Sequence, residues 1–493
     1  MPESPEKETV AQTNSQPLAR SVILFTICRY VVYTMTFARG LTAARHLGPY
    51  LLGVYGFLIL MQNYLSYTGF GTQYAINVEL ATRKDSDHRE IISTAITLTV
   101  LVGLILCLLG LVVQVFHLPI FEKFSFQQYA LLTCLITGAT SLQYVFTNIY
   151  RIHGRLARIA TVELFGAAVL LLITLIYRGE TLVFALLAGL FASAMFANVL
   201  YLVRAPFTFT IGLTSKSVRA LLALGLPLLI YNASFLLITI AAQSVVSIFY
   251  PLETIGYYTL ASQISNAALL GFNSIAWVAF PLVLGKTRMD VSDEDAARAT
   301  DRVNVVFGTS VFLIVFAAIL ALPLVFLLLP KYEPSRGAVT VLLLAQALLM
   351  SSYGYDCLAI ARHKQLAIAN ASIASAIVVA GLAVLAGKAH APFVWVAIAV
   401  LAGSVLFTVL QARIGLRLIR GSKLRPIVPW GSMTSVGLCL GGVLLLHPVV
   451  GALLGAATYL VTNKARVLEL WQLCQPHIRG LMHSAGPAVE EQV

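Results

Sequence analysis

Arg29 has the side chain best suited to binding an anion, because it lies well inside an apolar stretch. Tyr33 and Thr36 follow at i+4 and i+7, which places all three on one helical face. An arginine near mid-bilayer costs at least ~2.5 kcal/mol, so it does not face lipid. A guanidinium holds phosphate or carboxylate oxygens through two parallel hydrogen bonds. The spacing predicts an anion-binding stripe. A structural ion pair, for instance with Asp356, or a side chain that snorkels inward remains an open alternative.

Amide and tyrosine side chains concentrate in four apolar stretches, the first, second, seventh and eighth. They supply the donors, acceptors and rings that a sugar requires. They serve equally well as hydrogen-bonding partners between helices. Taken as a set they predict a wet central cavity, to which Arg39 contributes unless its side chain snorkels outward. The candidate substrate-binding residues are Arg29, Tyr33, Thr36, Arg39, Asn63, Tyr67, Gln243, Gln263, Asn266 and Asn273.

Asp356 is the acid best placed within an apolar stretch of the second half of the chain. An acid there can relay a proton or bind a coupling ion, pair with an arginine, or reach water. Glu163 occupies a similar position in the first half. Asp356 is therefore the candidate coupling residue.

Enzymatic motifs are missing from the sequence. It contains no nucleophile–base pair, P-loop, HExxH or dinucleotide-binding fingerprint. Its six cysteines form no CxxC. We therefore predict no catalytic residue, no cofactor and no metal.

The composition requires lipid as a solvent. Apolar residues make up 59% of the 493 residues and charged residues 11%, against about 45–50% and about 25% in soluble domains. We expect an all-α polytopic membrane protein of about 14 transmembrane helices. The longest connection, 286–302, leaves no room for a catalytic domain outside the membrane. The spans centre near residues 32, 62, 103, 137, 167, 192, 230, 270, 316, 346, 375, 401, 437 and 456.

The basic residues are unevenly divided between the two sides of these spans. With the N-terminus in the cytoplasm, 25 of the 33 lysines and arginines lie inside, 6 outside, and two within the first span. This asymmetry predicts that both termini are cytoplasmic. The net charge of +12 then matches an anionic inner leaflet, and no nucleic-acid partner is implied.

A short motif recurs along the chain. Gly53 and Tyr55 have counterparts in Gly256 and Tyr258, at an offset of 203. A second weak match relates 155–157 to 365–367. Six spans per copy predict two pseudo-symmetric six-helix lobes about an axis along the membrane normal; chance similarity of two turns is the alternative. The predicted segments are a disordered cytoplasmic tail (1–19), an N-terminal lobe (20–204), a C-terminal lobe (205–413), two further spans (414–465) and a cytoplasmic C-terminal tail (466–493).

Two charged connections, after the second and eighth spans, are expected to lie as helices on the membrane surface. Ser292 to Asp295 has the composition of a helix N-cap for the second of these.

Four motifs, in order and spacing, resemble the polysaccharide transporter family, and the resemblance extends over roughly residues 20 to 465. The family comprises lipid-linked oligosaccharide and O-antigen flippases. Its superfamily, the multidrug/oligosaccharidyl-lipid/polysaccharide exporters, also contains the multidrug and toxin extrusion antiporters. The motifs are Ala44–Pro49 with Gly53–Gly56, Leu224–Leu228, Ile255–Ala261 and Phe280–Pro281.

The resemblance implies a flippase. It would move an isoprenoid-diphosphate-linked oligosaccharide across the bacterial inner membrane for exopolysaccharide, capsule or O-antigen assembly, by alternating access between the two lobes. Expected partners are that lipid-linked oligosaccharide, membrane lipids, and a polysaccharide polymerase and chain-length regulator. Gln243 stands where relatives often carry an acid late in span 7, which puts an ion site there in doubt. The alternatives are a cation-coupled drug antiporter, and a membrane glycosyltransferase or polysaccharide polymerase.

Overall fold

A computed structural model describes residues 15–82, 85–288, 290–419 and 430–484, and all regular secondary structure within them is helical. The all-α fold is thus confirmed, whereas 1–14 of the predicted N-terminal tail lie outside the described residues. The first helical segment, Ser15–Ser66, divides at Gly48 into α1 (15–47) and α2 (49–66). The remaining helices are α3 Thr72–Thr82, α4 Asp85–Val115, α5 Phe126–Ile152, α6 Leu156–Ile176, α7 Gly179–Leu202, α8 Ser215–Phe249, α9 Leu252–Ala268, α10 Leu270–Thr287, α11 Asp293–Leu328, α12 Arg336–Ser351, α13 Tyr353–Ala361, α14 Gln365–Lys388, α15 Val394–Leu418, α16 Trp430–Leu445, α17 Pro448–Thr462 and α18 Lys464–Ser484.

Gly48 separates the first two spans. Its φ of 70° lies in the left-handed region that favours glycine. Pro49 follows at the first position of α2, where its missing N–H breaks no helical hydrogen bond. The Gly-Pro pair therefore ends one helix and begins the next.

Nine helical segments in the described part of the chain are long and apolar enough to cross a membrane. The predicted spans 13 and 14 correspond to the shorter helices α16 and α17. Span 8 is divided into α9 and α10 at Leu269. Span 2 ends at Ser66, which the offset of 203 maps onto Leu269. The second and eighth spans thus break at equivalent positions.

The prediction of a separate surface helix after span 8 is wrong about where that helix ends. The Ser292 hydroxyl accepts a hydrogen bond from the Asp295 N–H at 3.1 Å, as the predicted cap requires. However, α11 continues without interruption for 36 residues into span 9. No helix breaker lies between its charged first turns and its apolar part, so one helix serves both. The predicted C-terminal tail likewise contains a helix, α18, as far as Ser484.

Glycines bring α2 and α9 into backbone contact. A Cβ added to Gly53 would overlap the Leu252 carbonyl oxygen, and one added to Gly256 would overlap that of Pro49. The offset of 203 relates Gly53 to Gly256 and Pro49 to Leu252, so the two contacts are equivalent. A self-reciprocal contact of this kind is what two copies related by a two-fold axis make. It joins the N-terminal half (α1–α7) to the C-terminal half (α8–α15).

Other contacts between the halves lie at the same end of the bundle, here called the Gly48 end. Lys123, in the turn after α4, donates to the carbonyl oxygens of Ser247, at 3.1 Å, and Tyr250. These carbonyls end α8, where a cation is favoured. Burial lowers the Lys123 pKa. The Tyr332 hydroxyl donates to the Ala44 carbonyl at 2.9 Å. The halves are therefore closed against each other at this end.

Gly256→Ala tests the backbone contact. The added methyl must force α2 from α9, and we expect a loss of about 1–3 kcal/mol of stability. Gly381→Ala is the matched control, because a Cβ at that position would enter open space, with no neighbouring helix or side chain within 4 Å. Thermal unfolding in detergent should show a lower midpoint for Gly256→Ala only. Equal midpoints for the two variants would contradict the contact.

Candidate binding cavity

A cavity of about 430 Å³ lies between the two halves, below the Gly48 end. Its wall combines one cation, several amides and hydroxyls, and apolar side chains. The lining residues come chiefly from α1, α2 and α9, with Leu190 of α7, Gln243 of α8 and Leu270 of α10. They include Thr36, Phe37, Arg39, Gly40, Leu41, Tyr55, Gly56, Ile59, Gln62, Asn63, Thr259, Leu260, Ser262, Gln263, Ile264, Asn266 and Ala267.

Helical spacing explains why these residues share one cavity. Tyr55, Ile59 and Asn63 recur every four residues along α2 and so occupy one face. Counting from Gly48 at 1.5 Å per residue, Arg39 lies roughly 14 Å and Asn63 roughly 22 Å into the bundle. The cavity is therefore deep within the helical bundle.

Among the described residues of the cavity wall, Arg39 alone is charged. In the described ranges, no ion pair includes it. A half-buried guanidinium without a protein carboxylate favours an anionic ligand. The wall thus has the chemistry to hold a phosphate or acidic sugar, and its amides can bind hydroxyl groups.

Asn63 and Asn266 form a pair at equivalent positions. They are separated by the repeat offset of 203, both line the cavity, and both side chains are exposed. The Asn266 Oδ1 accepts a hydrogen bond from Gln346 Nε2 at 3.0 Å, which leaves its N–H groups for a ligand. If the predicted axis along the membrane normal relates the two halves, the two amides lie at the same depth. A ligand between the halves can therefore be held from both sides.

Six of the ten predicted substrate-binding residues line this cavity: Thr36, Arg39, Asn63, Gln243, Gln263 and Asn266. The Gln243 side chain also donates to the Gly56 carbonyl at 3.3 Å. The side chain of Asn273 lies outside the described residues.

Arg29 does not line the cavity. Its Nε and Nη2 donate to the two carboxylate oxygens of Glu163, at 3.2 and 3.0 Å. This bidentate pair supports the structural alternative, with Glu163 rather than Asp356 as the partner. Tyr33 and Tyr67 are also outside the cavity wall. A substrate role for these three residues stays a prediction.

Asp356 lies apart from the cavity, in the first turn of α13. Its Oδ1 accepts a hydrogen bond from the Tyr231 hydroxyl of α8 at 2.7 Å. Among the residues with a described structure, no cation pairs with it. The result is a carboxyl–phenol pair between spans 7 and 10.

Sequence reasoning missed part of the wall, notably Gly40, Thr259 and Ser262. Thr259 and Ser262 share a helical face with Gln263 and Asn266, so the period of α9 could have identified them. The repeat offset also relates Asn63 to Asn266. The sequence contains no signal that Gly40 belongs to the wall, because Gly40 contributes only through its lack of a side chain.

The fold is shared with solved membrane transporters. The lipid II flippase MurJ, in an inward closed conformation, is 16% identical, with a TM-score of 0.64 over 91% of this chain and 99% of that chain. An inward-facing multidrug resistance MATE family transporter of the MOP superfamily is 15% identical, with a TM-score of 0.60 over 80% and 98%. At such identities the likeness establishes the fold alone.

A third solved structure also shares the fold. It is a MOP superfamily transporter from Pyrococcus furiosus whose binding pocket has reverse polarity, and it is 14% identical, with a TM-score of 0.54 over 81% of this chain and 95% of that chain. No curated protein sequence matches the chain. The model of a family described as polysaccharide biosynthesis protein matches residues 18–284, more than half of the chain. The chain belongs to this family of polysaccharide biosynthesis proteins.

Proposed function

We propose that the chain is a flippase for an isoprenoid-diphosphate-linked oligosaccharide in the bacterial inner membrane. The headgroup occupies the cavity between the lobes 20–204 and 205–413, while the lipid tail stays in the bilayer. Rocking of the lobes exposes the cavity to alternate sides. Both termini are cytoplasmic, so the Gly48 end is the outer one. A polysaccharide polymerase and a chain-length regulator then use the product.

The composition of the cavity wall carries this proposal. In the part of the wall that the structure describes, Arg39 is the single charged residue and no carboxylate is present. A diphosphate or acidic sugar supplies the missing negative charge. Asn63, Asn266 and Gln62 offer the donors and acceptors that sugar hydroxyls require. A volume of about 430 Å³ falls within the range of about 300–1,000 Å³ typical of ligand pockets.

Membership of the polysaccharide biosynthesis family supports a saccharide-bearing substrate. The lipid II flippase shows that the same fold can act on a lipid. A cation-coupled drug antiporter is the second candidate, because MATE family transporters share the fold. Cationic drugs require a carboxylate in the cavity, and the described wall has none, so we favour the flippase.

Asp356 and Tyr231 form our proposed proton-coupling site. Their hydrogen bond joins α8 to α13, two helices of the C-terminal lobe. A carboxyl group that gains and loses a proton at this contact alters the packing of span 7, which also contributes Gln243 to the cavity. Protonation of Asp356 can thereby shift the equilibrium between the arrangements of the two lobes, although Asp356 lies outside the cavity.

Transport by the purified protein tests the function. Proteoliposomes would contain an isoprenoid diphosphate bearing a fluorescent disaccharide, and an impermeant quencher would report its transfer between leaflets. We expect transfer only in vesicles that contain the protein. Export of a cationic dye without lipid transfer would support the antiporter, and sugar transfer by the protein alone would support an enzyme.

Arg39→Gln tests the anion site. Loss of a charge-assisted hydrogen bond, about 1.5–3 kcal/mol, should reduce lipid transfer roughly 10- to 150-fold. Arg39→Lys should retain more activity because it keeps the charge. Arg45→Gln is the control, since Arg45 is exposed outside the cavity wall. Equal transfer by Arg39→Gln and Arg45→Gln would remove Arg39 from the site.

Asp356→Asn tests coupling. The amide cannot exchange the proton, so transfer should no longer respond to an imposed pH gradient, whereas binding of the lipid should persist. Asp290→Asn, which alters an exposed salt bridge with Arg288, should behave as wild type. An undiminished gradient response in Asp356→Asn would exclude this coupling site.

A further inference from the structure

Two polar atoms on α9 are buried without a hydrogen-bonding partner in the described part of the protein, Thr259 Oγ1 and Gln263 Oε1. Thr259 is only 5% exposed. The two residues are spaced i, i+4 and so share one face of α9. Both belong to the cavity wall. Each atom therefore lies at the edge of the binding cavity and is sealed from it.

Glycines of the N-terminal half provide the seal. The Thr259 hydroxyl packs so closely on Gly56 of α2 that a Cβ there would overlap it. The Gln263 Oε1 would lie 3.4 Å from a Cβ on Gly40 of α1. A glycine has no side chain with which to satisfy a neighbouring polar atom. The close approach of α1 and α2 to α9 therefore covers both atoms without supplying a partner.

An unsatisfied buried polar atom costs free energy that a satisfied or exposed one does not. Both atoms incur this cost only while α1 and α2 lie against α9. Separation of the helices at the Gly48 end removes it. These two atoms therefore raise the free energy of the closed form. The close backbone contact at Gly53 and Gly256 does not remove this cost.

We propose that Thr259 and Gln263 form a latent acceptor site for sugar hydroxyl groups, exposed when the two halves separate. The identity of the ligand rests on the proposed function. An amide Oε1 only accepts hydrogen bonds, and a threonine hydroxyl accepts as well as donates, so the matching ligand is a hydroxyl donor. A ligand shifts an equilibrium only by binding one state better than the other. The sugar accordingly stabilises the open form, and its binding drives opening.

The separation of the halves can be measured directly. Phe116 and Leu327, both strongly exposed, lie near the ends of α4 and α11 at the Gly48 end. Spin labels attached there through unnatural amino acids leave the native cysteines unchanged. Double electron–electron resonance in lipid nanodiscs then gives the ratio of wide to narrow separations, without any need for transport.

Thr259→Val replaces the unpartnered hydroxyl with a methyl group of similar size. We expect it to lower the wide-to-narrow ratio roughly tenfold. Gln263→Leu should act in the same direction, which keeps the result independent of how valine fits against Gly56. Thr133→Val is the matched control. The Thr133 hydroxyl is also buried and unpartnered, but it lies in α5, within the N-terminal half, so the ratio should not change.

The same distance measurement is then repeated with two added lipids, an isoprenoid diphosphate that bears a disaccharide and the same lipid without sugar. The sugar-bearing lipid should widen the wild-type separation more than the sugarless one, and this difference should vanish in the Thr259→Val, Gln263→Leu double variant. The inference is overturned if Thr259→Val behaves like Thr133→Val. It is also overturned if both lipids widen the wild type equally, since water would then satisfy the two atoms. Failure of the proposed function would appear separately, as no lipid transfer in proteoliposomes.

Discussion

The packing of α2 against α9 is the constraint on which the rest of the structure depends. Gly53 and Gly256 let the two backbones touch, through contacts that the repeat offset exchanges. Gly56 and Thr259, equivalent to each other under that offset, touch one turn deeper. Seven residues further, Asn63 and Asn266 are exposed in the cavity. One pair of helices therefore closes the bundle at its Gly48 end and bounds the binding cavity below it.

The chemistry of the cavity follows from what is kept out of it. Arg29 and Glu163 neutralise each other elsewhere in the N-terminal half. Asp356 is held by Tyr231 within the C-terminal half. The cavity wall is left with Arg39 and neutral polar groups. A cleft whose charge has one sign attracts ligands of the opposite sign. The separation of the charges thus favours an anionic, hydroxyl-rich headgroup over a cation.

Part of this could be predicted from the sequence. The helical fold follows from the composition, and six cavity residues are among the polar side chains that concentrate in the first, second, seventh and eighth spans. The partner of Arg29 could not be predicted, since hydropathy gives the depth of Arg29 but not which helix packs beside it. The long α11 was missed because a charged segment does not by itself end a helix. The importance of Gly40 and Gly56 appears only once α9 is in place.

Capture of the headgroup within the cavity tests the central claim most directly. A photo-crosslinking amino acid at Ser262, in the cavity wall, would be compared in living cells with one at Leu385, an exposed apolar position of α14. The account predicts that the lipid-linked saccharide is covalently attached at position 262 and not at 385. Attachment at 385 alone, or at both positions equally, would contradict passage of the headgroup through this cavity.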